Sequence, residues 1–323
     1  MKKEILNTVI IGLGNIGKIH FENISHNENL NIVALIDTDN FVLENKNIPI
    51  FQSISECHSI FPDIDLYIIA TPNGYHYKQT KEILALSKNV LVEKPITFHK
   101  FQIEELITIA KNNNVRLFTS LQLRFSPIIN HVKNLIENDY LGEIFLLNIE
   151  CFWNRNDRYY KKDSWRGTKQ LDGGILFTQF SHFIDIIHYL LGKIELINNL
   201  TSNYTHQNVI EFPDSGILQF KSGKTLGSMC YTISTYEKNF ESSITIIAEK
   251  GTIKIGGQYL DQLIHYNVKE SLLEGINLPL EPLHKLLYKE IVHSLKNSTS
   301  SRLDAENSIE TIDFIDKASN YLA

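Results

Sequence analysis

Along the first third of the chain, short runs of β-branched and other apolar residues alternate with longer stretches in which apolar positions recur every three or four residues. Residues 8–11, 31–36, 66–70, 90–92 and 115–119 are the short runs, while 15–25, 77–86 and 101–111 carry the helical spacing. Strands separated by helices of this length predict βαβ units and a parallel sheet. The runs are apolar throughout instead of alternating, as burial on both faces requires. After about residue 120 the pattern changes. A helical stretch at 127–138 ends in the turn-like Asp139-Tyr140-Leu141-Gly142, and longer runs at 143–152, 215–221, 225–234, 243–248 and 251–255 have strand character. Lys221-Ser222-Gly223-Lys224 reads as a hairpin turn, so this second region is expected to hold an antiparallel or mixed sheet. Helical patterns at 177–191, 282–295 and 305–322 complete the series. The pattern predicts an α/β chain of two domains, divided at 1–121 and 122–323, whose last helix is a candidate to pack back on the first domain.

Composition narrows the partners. The chain has 323 residues, 43% of them hydrophobic and 21% charged, with a formal net charge of -6 and no basic run. Such a surface is a poor match for a phosphate backbone, so nucleic acid is not expected as a partner. No apolar stretch approaches the ~20 residues that cross a bilayer, and no membrane partner is expected. Met1-Lys2-Lys3-Glu4 runs straight into a strand-like segment without a small-residue cleavage site. Cys57, Cys151 and Cys230 are dispersed and odd in number, which spells neither a disulfide framework nor a zinc site. A cytoplasmic address without a bound metal is the expectation.

Three segments carry chemistry. Gly12-Leu13-Gly14-Asn15-Ile16-Gly17 follows the first strand and opens the first helix. Its first glycine permits a tight turn, its second lets the backbone approach a pyrophosphate, and its third allows helix and strand to pack. The helix N-terminus would add N–H groups and a positive dipole end. Asp37 ends the next strand about 20 residues on, where a carboxylate can accept both ribose hydroxyls. It would repel a 2′-phosphate, and Thr38-Asp39-Asn40 offers no arginine to receive one, so NAD is favoured over NADP. A strand-end aspartate that only caps a turn is the alternative.

Ala70-Thr71-Pro72-Asn73-Gly74-Tyr75-His76 follows another strand, and in a doubly wound sheet ligands bind at the carboxyl ends of strands. Thr71, Pro72, Asn73 and His76 are therefore cofactor-side candidates, although Asn73 and Gly74 are also ordinary turn formers. Glu93-Lys94-Pro95 ends the strand 90–92 and points the same way. A partly desolvated lysine near a cationic nicotinamide could accept a proton from an alcohol, with Pro95 fixing the turn.

A strand, G-x-G-x-x-G, a T-P-N-x-x-H loop and then E-K-P resemble the glucose–fructose oxidoreductase / inositol dehydrogenase family over nearly the whole chain. The resemblance implies a Rossmann domain followed by an α/β domain on an open, mainly antiparallel sheet that covers the nicotinamide. It assigns the acid/base role to Lys94. Asp172-Gly173-Gly174-Ile175-Leu176, His182, Asp185 and Leu191-Gly192 resemble that family's glycine-rich turn and catalytic helix. His182 and Asp185 share a helix face, and the resemblance turns His182 to the substrate, although a histidine on an apolar helix is otherwise a core residue. The family often carries an aspartate four residues before that histidine. Thr178 stands there, and its hydroxyl can bond a sugar but cannot serve as a base near neutral pH.

Residues 121–127, Tyr159-Tyr160 and Trp165-Arg166-Gly167 resemble the nucleotide-sugar 3-dehydrogenases, which oxidise C3 of a UDP-linked N-acetylated sugar. The substrate expectation is UDP-N-acetylglucosamine or its uronic acid, with Arg124, Tyr160, Trp165, Arg166 and Thr178 beside Lys94 and His182 as contacts. Arg155, Arg158, Lys161, Lys162, Arg166 and Lys169 lie among Trp153, Tyr159, Tyr160 and Trp165, a mixture suited to pairing with a diphosphate and stacking on a uracil. The same mixture also describes a solvated loop, and Arg124 also suits a structural hydrogen bonder. A dehydrogenase of a free polyol such as an inositol is the alternative, and a non-catalytic NAD-binding regulator a further one. The resemblance implies a homodimer or homotetramer.

Overall fold

The computed structural model describes residues 4–39, 48–161, 164–269 and 281–321. Asn40, Lys162 and the expected last residue of the final helix, Leu322, lie outside them. The chain forms two compact units, Met1–Leu121 with His284–Ile309, and Gln122–Leu283 with Glu310–Ala323.

The first unit alternates strand and helix. Its elements are β1 (Leu6–Ile11), α1 (Asn15–Ser25), β2 (Leu30–Ile36), β3 (Ile50–Phe51), α2 (Ile54–Ile60), β4 (Leu66–Ile69), α3 (His76–Ala85), β5 (Asn89–Val92), α4 (Lys100–Asn112) and β6 (Leu117–Thr119). The six strands lie in the order β3-β2-β1-β4-β5-β6, every pair parallel. This is the doubly wound sheet of a Rossmann domain, with its switch point between β1 and β4. Val9, Ile10, Leu35, Ile68 and Leu91 are fully buried, which is why these strands read as unbroken apolar runs.

The second unit opens with α5 (Pro127–Glu137), then β7 (Ile144–Phe152), α6 (Ile175–Thr178) and α7 (Ser181–Leu191). Ser126 caps α5 by accepting from Ile129 N, and Pro127 occupies its first turn, where a missing N–H costs nothing. Next come β8 (Glu195–Ser202), β9 (Ser215–Ser222), β10 (Thr225–Thr232), β11 (Glu241–Ala248), β12 (Gly251–Gly256) and β13 (Gln262–Val268). They form a seven-stranded sheet in the order β13-β12-β11-β7-β10-β9-β8. All its pairs are antiparallel except β7 with β10, so the sheet is mainly antiparallel. Ser222 pairs with Thr225 across a two-residue turn in which Gly223 has φ +58°, so the predicted hairpin is present.

One expectation needs correction. The single helix expected over 177–191 is two, α6 and α7. The break follows Thr178, whose hydroxyl turns back to the Asp172 carbonyl and carboxylate, a competition that hydroxyl residues offer to helical geometry. From His284 on, α8 (Leu283–Asn297) groups with the first unit, and from Glu310 on, α9 (Ile309–Ser319) groups with the second. Among the described residues no helix is long and apolar enough to cross a membrane.

Candidate active site

The glycine loop divides its labour by space. A Cβ on Gly17 would lie 1.9 Å from the Gly12 carbonyl oxygen, and one on Gly12, at φ +89°, would lie 2.7 Å from the Ala70 oxygen. Among the described residues, a Cβ on Gly14 would meet nothing within 4 Å. The outer two glycines are thus demanded by packing, and the middle one faces open space. Gly14 caps α1 with no side-chain hydrogen bond, no acidic residue stands in the first turn, and Asn15 and Ile16 are exposed there. The N–H groups and positive dipole end of α1 are therefore available to an anion. Asp37 follows β2 and accepts from Leu13 N at 2.6 Å and Asp39 N at 3.0 Å, which fixes its carboxylate beside the loop. A carboxylate offers about four acceptor positions, so capacity for ribose hydroxyls remains. The cradle fits a dinucleotide.

Two strand-end loops are clasped together by His76. One ring nitrogen lies 2.7 Å from the Pro95 oxygen and the other 2.9 Å from the Thr71 oxygen, with the ring wholly buried. Burial lowers its proton affinity, against the pull of the two carbonyls. Both polar ends of His76 thus face backbone. Thr71 donates to Gln79 at 2.6 Å, and the buried Asn73 opens a single 3-10 turn after Pro72.

Beyond β5, Glu93 N still bonds to Ile69 O at 2.9 Å, and the Lys94–Pro95 bond is cis. Lys94 is half-buried, whereas Glu93 is buried. The Glu93 carboxylate receives Lys94 N at 3.2 Å and lies 3.0 Å from His20 Nε2. Tyr288 Oη lies 2.8 Å from the other nitrogen of His20. Burial would push this carboxyl up, but His20 and the nearby His284 hold it well below the usual carboxylate range. Sequence reasoning missed His20, His284 and Tyr288. One signal was available: Gly17, His20 and Ile24 form the buried stripe of α1, with a titratable group in the middle.

In the second unit α7 divides its polar pair. Asp185 turns inward, and Arg124 Nε and Nη2 donate to its two oxygens at 2.9 and 2.6 Å. The guanidinium of Arg124 also lies 5.1 Å from the Tyr189 ring centroid, so its role in the structure is to neutralise a buried acid. His182 is half-buried, with Nε2 3.4 Å from the Gln122 amide nitrogen. The buried Asp172 carboxylate receives Thr178 Oγ1 and, at 2.8 Å, Gly167 N.

Arginines and aromatic rings interleave before that turn. The Arg155 guanidinium lies 4.7 Å from the Trp153 centroid and 5.2 Å from that of Tyr159. Arg166 lies 4.8 Å from Tyr159 and 4.6 Å from Trp165, and its Nε is buried without a hydrogen-bond partner among the described residues. Gln179 ties the ladder, accepting from Arg155 Nε at 2.8 Å and donating to Tyr159 Oη at 2.5 Å. Tyr160 is buried against Tyr159 and His206, and among the described residues its hydroxyl has no hydrogen-bond partner.

Comparison with known proteins agrees with this geometry. Residues 6–121 match the domain described as "Oxidoreductase family, NAD-binding Rossmann fold", and 129–254 match the "GFO/IDH/MocA C-terminal domain". The fold resembles that of the WlbA dehydrogenase from Bordetella pertussis, solved with NADH and UDP-GlcNAcA, at a TM-score of 0.90 and 25% identity over 99% of this chain and 96% of that one. It equally resembles WlbA from Chromobacterium violaceum, solved with the same two ligands, at TM-score 0.90 and 25% identity over 98% and 94% of the two chains. Myo-inositol 2-dehydrogenase of Thermotoga maritima is 24% identical over 188 residues, 57% of this chain and 54% of that protein. Two adjoining domain matches and a fold shared over nearly the whole length make the chain an NAD-binding oxidoreductase of the Gfo/Idh/MocA family.

Proposed function

We propose that this oxidoreductase oxidises C3 of a UDP-linked N-acetylated sugar, UDP-N-acetylglucosamine or its uronic acid. NAD, once bound, supplies the hydride acceptor. The residues of the glycine loop and Asp37 hold and orient it, and Asp37 selects against a 2′-phosphate. Lys94, at the carboxyl end of β5, takes the proton from the sugar hydroxyl. His182 orients that hydroxyl and assists the transfer. Thr178 Oγ1–H donates a hydrogen bond to Asp172, and a hydroxyl oxygen of this kind can also accept from a sugar hydroxyl.

The observation that carries this reading is the ladder of Arg155 and Arg166 between Trp153, Tyr159 and Trp165. Guanidinium groups held by aromatic faces are pre-set to pair with a diphosphate, and the rings offer a surface to a uracil. A free polyol needs neither. The WlbA structures, solved with UDP-GlcNAcA, lend this weight. The second unit also pairs with a second copy through its outer sheet face, where Leu146, Leu200, Ile217 and Leu226 are all about half exposed. A sedimentation mass at the 37.2 kDa of one chain would overturn that pairing.

The test is calorimetry with UDP, UMP and free N-acetylglucosamine, alongside NADH formation from a panel of UDP-sugars and inositols. UDP alone should bind, and Arg166→Ala should weaken it by about 1.5–3 kcal/mol, as for a charge-assisted hydrogen bond. Free sugar binding as well as its UDP conjugate would defeat the reading. The Thermotoga relative named for myo-inositol makes the polyol the next candidate.

A further inference from the structure

We propose that His20 is a positioning residue for the lysine turn: from α1 it holds Glu93 as a buried anion against the Lys94 amide, and so sets the proton affinity of the Lys94 side chain. The inference rests on the reading of Lys94 as acid/base for its consequence in turnover, but not for the effect on the lysine itself.

The geometry is a chain of buried polar groups from three separate stretches of sequence. His20 is fully buried on the inward stripe of α1, between Gly17 and Ile24. Its Nε2 is 3.0 Å from Glu93 Oε1, and its Nδ1 is 2.8 Å from Tyr288 Oη on α8. Nε2–H donates to the carboxylate whether the ring is neutral or charged, because the carboxylate can only accept. Glu93 Oε2 then receives the Lys94 N–H at 3.2 Å. The helix that opens the cofactor cradle is thereby tied through two side chains to the backbone of Lys94.

A buried carboxylate costs several kcal/mol unless it is fully partnered, so apolar residues would have filled this space more cheaply. What the carboxylate adds is a fixed negative charge one residue from Lys94. Other groups face it from every side. His284 of α8 packs edge-on to His20 at 5.6 Å, Tyr288 closes the far end, and His76 of α3 lies within reach of the charges of both Glu93 and Lys94. Burial lowers the proton affinity of His76, and Lys94 lowers it further while Glu93 opposes. With His20 removed, the Glu93 carboxylate loses the donor that holds it in this buried place and turns away from the Lys94 amide. Lys94 then loses a nearby anion and becomes a weaker base.

The experiment is lysine acetylation of the full chain without ligands, read at Lys94 by peptide mass spectrometry from neutral pH to about 11. His20→Asn cannot reach Glu93 with a donor, and the midpoint for Lys94 should fall by roughly one unit, the effect of losing an adjacent opposite charge. His20→Gln places an amide N–H near the original Nε2 and should restore the midpoint to within a few tenths. Glu93→Gln keeps the shape, removes the charge and should reproduce the fall, which carries the test if His20→Asn does not fold. The inference is overturned if folded His20→Asn or Glu93→Gln leaves the midpoint unmoved, or if Asn and Gln at position 20 behave alike. With UDP-N-acetylglucosaminuronate and NAD, the kinetic midpoint on the alkaline rise should move by the same amount. A labelling shift in a protein that oxidises none of the sugars tried supports the inference and removes the substrate assignment instead.

Discussion

Arg124 donates through Nε and Nη2 to the two oxygens of Asp185, and the side chains of both are nearly inaccessible to solvent. Thr311 of α9 adds a longer hydroxyl bond to Asp185, at 3.4 Å. Removing one partner of such a pair strands the other charge, at a cost of about 3–5 kcal/mol. Arg124→Met should therefore lose roughly that much stability to urea, while Arg124→Met with Asp185→Leu recovers most of it. A single variant within about 1 kcal/mol of the parent would show that the pair is solvated in solution.

The glycine loop makes a paired prediction. Ala at Gly17 brings a methyl group against the Gly12 carbonyl and should destabilise by about 1–3 kcal/mol. Ala at Gly14 meets open space and should change stability by less than about 0.5 kcal/mol. NADH affinity should reverse the contrast: Gly14→Ala should bind at least about tenfold more weakly, because the backbone there approaches the pyrophosphate. Fluorescence titration of folded Gly14→Ala giving parental affinity would remove the second glycine from the phosphate site.

Lys94→Met tests the proposed proton transfer apart from cofactor binding. Turnover should drop by about 10²–10⁴, the usual contribution of one acid/base group, with NADH affinity within about twofold of the parent. A variant keeping more than about half of parental turnover would exclude the lysine from the chemistry.

His188, on α7, carries a pH signature. Burial pushes its pKa down to about 4, outweighing Asp185, the Gly192 carbonyl and Glu310, which pull upward. The ring is depressed in the folded state, so its contribution is present above the unfolded value near 6.5 and is lost as pH falls toward 4. Between those limits the unfolded chain binds a proton that the folded one refuses. The parent should lose roughly 3 kcal/mol more than His188→Gln over this window, measured by urea unfolding. Parallel pH slopes in the two proteins would count against it.

What was legible in the sequence follows from burial. Strands such as β1 and β4, covered on both faces, had to be apolar throughout, and that run survives translation into a one-dimensional pattern. Three strands went unread: the two-residue β3 at an edge of the first sheet, and β8 and β13, the two edges of the seven-stranded sheet. In β8 only Asn199 is buried, and in β13 only Val268, so neither carries a clear alternation. Within the candidate site, Gly12, Asp37 and Lys94 were visible because each directly follows an apolar strand run, in a recognisable local motif or spacing. His20 and Tyr288 touch across 268 positions, and no local spacing records such a pair. Asp185 was visible as an oddity on an apolar helix, but its partner Arg124 lies 61 residues earlier.

The first unit is discontinuous, closed by residues 284–309. On a ribosome, the nucleotide-binding unit is therefore begun before the second unit and finished only after most of that unit has been made. When residue 121 emerges, all six strands of its sheet have been made, yet the hydroxyl that meets His20 and the Asp304 carboxylate that pairs with Arg116 have not. The whole second sheet is synthesised in the interval. The nascent Rossmann half must wait, incompletely covered, for more than half the chain to follow it out.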